Sequence, residues 1–389
     1  MLTPDYLRNM CNKLRIVADD MEEDMLAAII AALLAGDTVE TITAELVRIS
    51  EWYQYEGLQE IRRIITQAVE TSTAIDAEVM ERGQLPRDVL QEIPEEPQET
   101  PQDATQAPGA EDLPQPQEQA PKTPRPAPQV DAYTRNTAEH FYRTTGGTWV
   151  NLTETEAYAG TEKYVDAVDR ATTRAATGEV SPRKAVEDAA RELAEQGLEV
   201  VTTEGGRPEH ASTAAERNVR TAVARLAGDI ALQTARENGF TLVLVSAHYG
   251  ARPTHEVWQG KVYSINGDTT KYEDFWQATE YGQMLGLCGI NCRHSFSPFA
   301  EGMRNPYEGK DYSDPHRYKD EQTQRAMERN IRDLRRKKRA IDEIYRADKS
   351  DDVKAERATL AADLRQAIAE YEEFCRVHDF RPLWERTRV

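Results

Sequence analysis

Apolar positions recurring at three and four residues dominate the chain, so helix is the first element the pattern predicts. Thr3-Pro4-Asp5 supplies an N-cap, a proline suited to the first helical position and an acid placed against the helix dipole. Leu7, Met10, Leu14, Val17 and Met21 continue from it as one buried stripe, with a stop at Gly36. A second helix is expected from about Val39 to Ala77, carrying Ile42, Leu46, Ile49, Tyr53, Leu58, Ile61, Ile64 and Ile65, with a break near Gly57. Order is expected again from Ala132. Tyr164, Val165, Val168 and Ala171 mark a helix over 161–177, and Ser181-Pro182 opens another that runs through Val186, Ala189 and Leu193 to Gly197. A long helix over 212–237 closes at Asn238-Gly239. Toward the C-terminus, Ile331, Leu334, Ile341 and Tyr345 lie close to heptad spacing in one segment, and Leu360, Leu364, Ile368, Tyr371 and Cys375 in the next. With a polar break over 346–352, they predict a helical hairpin or coiled-coil arm.

In three places the period shifts to that of a strand. Leu198-Glu199-Val200-Val201 follows a helix end, Thr241-Leu242-Val243-Leu244-Val245 is β-branched and apolar enough to be a buried strand, and Lys261-Val262-Tyr263-Ser264-Ile265 runs into the turn Asn266-Gly267. The predicted fold class is α+β, helix-dominated, with a small sheet in its central part.

Composition divides this pattern. Between Pro86 and Asp131 lie 11 of the chain's 19 prolines, with ten acids against three bases and few large apolar residues. Such a stretch cannot bury enough apolar area to offset chain entropy, so it is expected to be a disordered, acidic linker. The expected organisation is therefore an N-terminal helical module over 1–85, the linker over 86–131, a central α+β domain over 132–319 and a C-terminal helical arm over 320–389.

Charge narrows the function classes. With 48 Lys and Arg against 68 Asp and Glu, the net charge of −20 opposes general binding along a phosphate backbone. The stretch 320–389 is nearly neutral, with 17 bases against 16 acids, and concentrates Arg335, Arg336, Lys337, Lys338 and Arg339 on one helix. That cluster is either a solvated helix face or a local contact for DNA. The longest apolar run, Leu26 to Leu34, is far shorter than the roughly 20 residues of a spanning helix, so no membrane role is expected. Four widely spread cysteines make no disulfide framework.

The residues that carry chemistry follow the predicted strand at 241–245. They are His248, Gly250, Arg252 and His255, then Trp258-Gln259-Gly260-Lys261, then Cys288-Gly289-Ile290-Asn291-Cys292-Arg293-His294-Ser295. Two readings are open. Thiolates and imidazoles are the ligands zinc favours, so His248, His255, Cys288, Cys292 and His294 are candidates for a structural zinc site. Alternatively His248, Arg252, His255, Cys288, Cys292, Arg293 and His294 form a hydrogen-bonded structural cluster, with the glycines allowing tight turns and the arginines binding carbonyls or carboxylates. An enzymatic reading pairs His255 or His294 with Glu256 or Cys292, as a metal-dependent hydrolase, nuclease or toxin-like domain. No serine elbow, phosphate loop, dinucleotide fingerprint or His-Glu-x-x-His supports it, and no catalytic residue is assigned.

At these residues the chain resembles the phage minor capsid proteins, the group called minor capsid protein 2, and more loosely the Mu-type head-morphogenesis proteins. The likeness rests on Ser246-Ala247-His248, Gly250-Ala251-Arg252-Pro253, His255, Trp258-Gln259-Gly260-Lys261, Gly286-Leu287-Cys288-Gly289 and Asn291-Cys292-Arg293-His294-Ser295. It extends from the helices near Tyr164 through Pro298-Phe299 and Gly302 to Glu328-Arg329-Asn330-Ile331-Arg332. The acidic linker departs from the family, and the N-terminal helices match only in type. The resemblance implies a non-enzymatic structural protein of the phage head, present in few copies and encoded beside the portal and major capsid genes. It implies portal, major capsid or scaffolding proteins as partners, with packaged DNA as a further one through the basic helix. The implied location is the virion, reached from the host cytoplasm during assembly.

Overall fold

Caps set the limits of the first helices in the computed structural model, which describes residues 1–86, 131–198, 200–201 and 208–388. The Thr3 hydroxyl accepts the Tyr6 amide at 3.1 Å and opens α1 (Pro4–Asn9). After a short interruption at Met10 and Cys11, α2 (Asn12–Ala35) runs to Gly36, whose φ of 74° is the left-handed conformation that ends a helix. Thr38 caps α3 (Val39–Arg82).

The break expected at Gly57 does not occur. A Cβ on Gly57 would lie 2.2 Å from the Trp149 ring, so this glycine is a seat for an indole. The Trp149 ring nitrogen donates to the Tyr53 and Gln54 carbonyls, both at 3.3 Å, beside that seat. Trp149 belongs to α4 (Ala132–Ala176), capped by Asp131, which begins far ahead of the predicted 161. Residues 132–160 include Gly146-Gly147 and several threonines, poor helix formers, and their conformation is decided by packing on α3. The acidic segment 86–131 lies outside the described residues except at its two end residues, and the helices flanking it, α3 and α4, lie against each other.

Ser181 and Pro182 start α5 (Pro182–Gln196), as expected, and Gly197 ends it. A two-residue ribbon follows, β1 (Val200–Val201) paired antiparallel with β2 (Pro208–Glu209), and then α6 (Ala211–Glu237). Buried apolar residues of α2, α3, α4, α5 and α6 form one continuous core, which also takes in Ala340, Ile341 and Ile344 from the C-terminal part.

The central sheet is small: β3 (Leu242–Val245) lies between β4 (Val262–Ser264) and β5 (Phe296–Phe299), both antiparallel to it. Side chains alternate along β3, and both faces are covered. Val243 and Val245, with Tyr263 and Phe296, join the main core. Leu242 and Leu244, with Phe299, face a second cluster containing Ile75 and Val79 of α3. Double coverage explains why the strand reads as an unbroken apolar run. The Phe296-Ser297-Pro298-Phe299 strand escapes sequence reading because its proline and its brevity hide the period.

Between β3 and β4 lies one turn of helix, α7 (Pro253–Glu256), and before β5 lies α8 (Phe275–Thr279). The C-terminal part is the predicted hairpin. Helix α9 (Pro315–Ala347) turns at the polar break into α10 (Asp351–Val377), capped by Ser350. Gln324 meets Cys375 while Asp342 meets Arg357, so the two helices run antiparallel. With 70% helix and a three-stranded sheet, the molecule has the expected helix-dominated α+β class. Among the described residues, no helix is long and apolar enough to cross a membrane.

Candidate functional site: a buried histidine and cysteine knot

Three segments meet at one end of the small sheet. His248 leaves the end of β3, His255 sits on α7, and Cys292 and His294 come just before β5. Backbone bonds fasten them: the Ser246 amide donates to the Ser295 carbonyl at 2.9 Å, and the Ser295 amide returns to the Ser246 hydroxyl at 3.0 Å. The Ser295 hydroxyl also donates to the Leu2 carbonyl, tying the knot to the first residues of the chain. The loop carrying the cysteines holds Cys288 and Asn291 at φ 57° and 56°, left-handed conformations that non-glycine residues adopt only when their surroundings dictate it.

Most polar groups in the knot have a defined neighbour. The His255 Nε2 lies 2.8 Å from the Leu285 carbonyl, and the His294 Nε2 lies 3.0 Å from the Gln259 Oε1. That same Gln259 oxygen accepts the His248 amide at 3.0 Å. The Nδ1 atoms of His255 and His294 are 3.4 Å apart, and the Cys292 Sγ lies 3.8 and 3.6 Å from them. The His248 ring stacks on His294 with centroids 4.4 Å apart, its Nδ1 bonded to the Tyr249 carbonyl and its Nε2 buried with no hydrogen-bond partner among the described residues. Trp258 closes the other side, 4.5 Å from the His255 ring and 4.8 Å from that of His294. Both arginines act on backbone carbonyls: Arg252 donates to Ile290, and Arg293 to Gly250 and to the Glu321 carboxylate of α9.

Of the five candidate ligands, the structure therefore converges three: His255, Cys292 and His294. Cys288 and His248 are adjacent but outside the donor set, with the Cys288 thiol directed at the His294 carbonyl. Gln259 and Glu321 are the functional neighbours that residue types alone did not single out. Gln259 stood in the resembling motif without a role, and Glu321 carries no sequence signal because it arrives from a different helix.

Burial governs the electrostatics here. It pulls His248 and His294 well below the ordinary imidazole range, helped by neighbouring cations and histidines, and lowers His255 to about 4. The rings are neutral at physiological pH. Burial likewise pushes the Cys288 and Cys292 thiols up, the reverse of what an activated nucleophile needs. It also lowers the Arg293 guanidinium to about 10, although Glu321 opposes the shift. Glu256, offered as a general-base partner, lines a different cavity from the histidines. The knot borders a cavity of about 260 Å³ lined by His248, Arg252, His255, Arg293 and His294 together with Glu321 and Arg325.

A second buried polar group lies deeper, where Glu216 of α6 receives Arg15 of α2, Arg220 of its own helix and Arg386 from a short C-terminal turn, Trp384–Arg386. Burial would raise the Glu216 carboxyl, but Arg220, Arg386 and Arg15 outweigh it and hold it well below the usual carboxylate range. Asp19 meets Arg15 and Arg332, and Glu22 accepts from His210, Arg336 and the Leu198 amide. Arg336 of the basic cluster on α9 joins this layer, and its part-exposed neighbours pair around it. Arg336 is buried and donates to the Ala194 carbonyl at 3.0 Å, Arg335 donates to the Thr387 carbonyl, and Arg339 pairs with Glu23 and Asp24. Lys337 meets Glu195 and Lys338 meets Asp342. The five cations expected as a possible DNA contact are engaged within the chain.

The chain belongs to the phage minor capsid protein 2 family, whose model matches residues 2–371. It is similar to a protein described as a structural protein of Lactococcus phage LL-H, 26% identical over 230 residues. That match takes in 57% of this chain and 62% of the relative, less than two thirds of its length. No solved structure matches. The family membership agrees with the resemblance read from the motif residues.

Proposed function

We propose that this protein acts in the phage head as a non-enzymatic part, joining portal, major capsid or scaffolding proteins through surface contacts during assembly in the host cytoplasm. The observation that supports this most directly is family membership across nearly the whole chain, knot included. The chemistry of the knot agrees with it, since neutral imidazoles and protonated thiols bonded to carbonyls are a stiffening device. Beside the knot stand exposed apolar side chains, Val257 next to α7 and Met284-Leu285 in the cysteine loop, of the kind that protein contacts cover. Helix α10, which packs mainly on α9, serves as an arm toward a partner. Contact with packaged DNA through residues 335–339 is less favoured, because those cations have partners already.

Mass spectrometry of purified virions tests the reading. The chain is expected among the virion proteins, and a Met284→Asp, Leu285→Asp double variant is expected to fold with unchanged circular dichroism yet to be depleted from particles. Virions complete without the chain would refute the structural role, and undiminished incorporation of the double variant would refute this contact surface.

A further inference from the structure

We propose that His255 Nδ1, His294 Nδ1 and Cys292 Sγ form a three-ligand site for a tetrahedral divalent cation of the zinc type, with the remaining position left to a small ligand such as water. Nothing established for the family's structural role requires it, and it does not rest on the docking surface above, although Leu285 borders both. The argument begins with tautomers. A carbonyl oxygen only accepts, so the Leu285 carbonyl at 2.8 Å assigns the His255 proton to Nε2. The Gln259 Oε1, fixed as the oxygen because it also accepts the His248 amide, assigns the His294 proton to Nε2 as well. Both Nδ1 atoms then carry lone pairs, and these face one another at 3.4 Å inside the protein. One thiol proton on Cys292 cannot satisfy two acceptors. A cation in its place satisfies all three donors.

The distances agree with that replacement. A tetrahedral ion with bonds of about 2.05 Å to nitrogen and about 2.3 Å to sulfur sets its ligands roughly 3.3 Å apart for N···N and 3.6 Å for N···S. The observed separations are 3.4 Å between nitrogens and 3.6 and 3.8 Å to the sulfur. Each imidazole already donates its distal N–H to an oxygen acceptor, the outer arrangement that orients histidine ligands and strengthens them as donors. His255 and His294 line the 260 Å³ cavity, which gives an ion its route and supplies the fourth position. Bound there, the ion clamps α7 to the strand entering β5 and so holds the cysteine loop in shape.

The test uses full-length protein, stripped of metal and reloaded with zinc or cobalt alone. Metal analysis is expected to return about one ion per chain, and X-ray absorption on the native zinc form to count one sulfur and two imidazole nitrogens. Cobalt is expected to show a thiolate charge-transfer band that is lost in Cys292→Ser and kept in Cys288→Ser. Gln259→Leu is expected to weaken zinc binding about 10- to 100-fold by freeing the His294 ring. Failure of folded native protein to bind either ion, a count of two sulfurs or no imidazole, or equal loss of metal in both cysteine variants would overturn the assignment. The native-protein spectra decide the matter even if a variant does not fold.

Discussion

The knot and the ionic layer are both buried and polar, yet they are built in opposite ways. The knot gathers residues from one stretch, 248–295, around the end of a small sheet, and its rings and thiols are neutral groups bonded to carbonyls and to one glutamine. The ionic layer gathers Arg15, Glu216, Arg332 and Arg386 from both ends and the middle of the chain and works through full charges. A neutral knot stiffens one loop system locally. A charged layer sets the register of helices that are far apart in sequence, because removing any partner leaves a buried charge without compensation. Glu321 links the two, since it holds Arg293 of the knot from α9, and the cavities beside them share Asn291, Gln322 and Arg325.

The comparison can be broken most sharply at Glu216. Glu216→Gln removes the carboxylate shared by Arg15, Arg220 and Arg386, leaving Arg220 without its ion pair and the other two with only Asp19 and Glu328, and urea denaturation is expected to show a loss of about 3–5 kcal/mol. A loss under about 1 kcal/mol would mean that the layer does not lock the helices together. Next comes Gln259→Leu, which leaves the His248 amide and the His294 Nε2–H without their acceptor. The expected cost in metal-free protein is about 1–3 kcal/mol per orphaned group, seen as a lower thermal midpoint. Hydrogen exchange is expected to quicken around residues 248–295 while α2 and α6 keep their protection, which separates a local stiffener from a global lock.

The smallest effect concerns Glu156 of α4, a fully buried carboxyl whose two oxygens have no hydrogen-bond partner among the described residues. Burial raises its pKa well above the ordinary value, and Glu22 and Asp19 add to the rise. The folded chain therefore keeps a proton that the unfolded chain releases. The stability this group contributes is complete below the ordinary carboxyl pKa and is lost as pH rises from there through the folded-state pKa. Glu156→Gln is expected to be more stable than the native chain at neutral pH by about 1 kcal/mol, with the gap closing in acid. Denaturation curves showing a pH-independent gap would place the effect elsewhere.

How much of this was legible follows from range. Caps and periods sufficed for Thr3-Pro4, Ser181-Pro182, Gly36, Gly197 and the polar turn before Ser350, because each acts on neighbours within a turn of helix. The same logic misread Gly57, since a glycine that breaks a helix and a glycine that admits an indole look alike until Trp149 is in place. It also missed the first half of α4, where propensity is poor and contact with α3 decides. In the candidate site, all seven cluster residues come together as a group, but the motif could not say that only three of five ligand candidates converge. Tautomers and directions depend on Leu285, Gln259 and Tyr249, whose roles no residue type announces.

By itself, the chain's order of residues determined the helical periods, their caps, the apolar strand Leu242–Val245 and the dense histidine, glycine and cysteine stretch that marks the family. These are short-range facts, written in spacing and side-chain type. Only the tertiary structure decided that Arg336 is buried while its basic neighbours pair within the chain, that Glu216 gathers arginines from three elements, and that two imidazole Nδ1 atoms face one sulfur. Those outcomes depend on which surfaces meet when apolar faces are buried, and burial is a property of the whole packed chain.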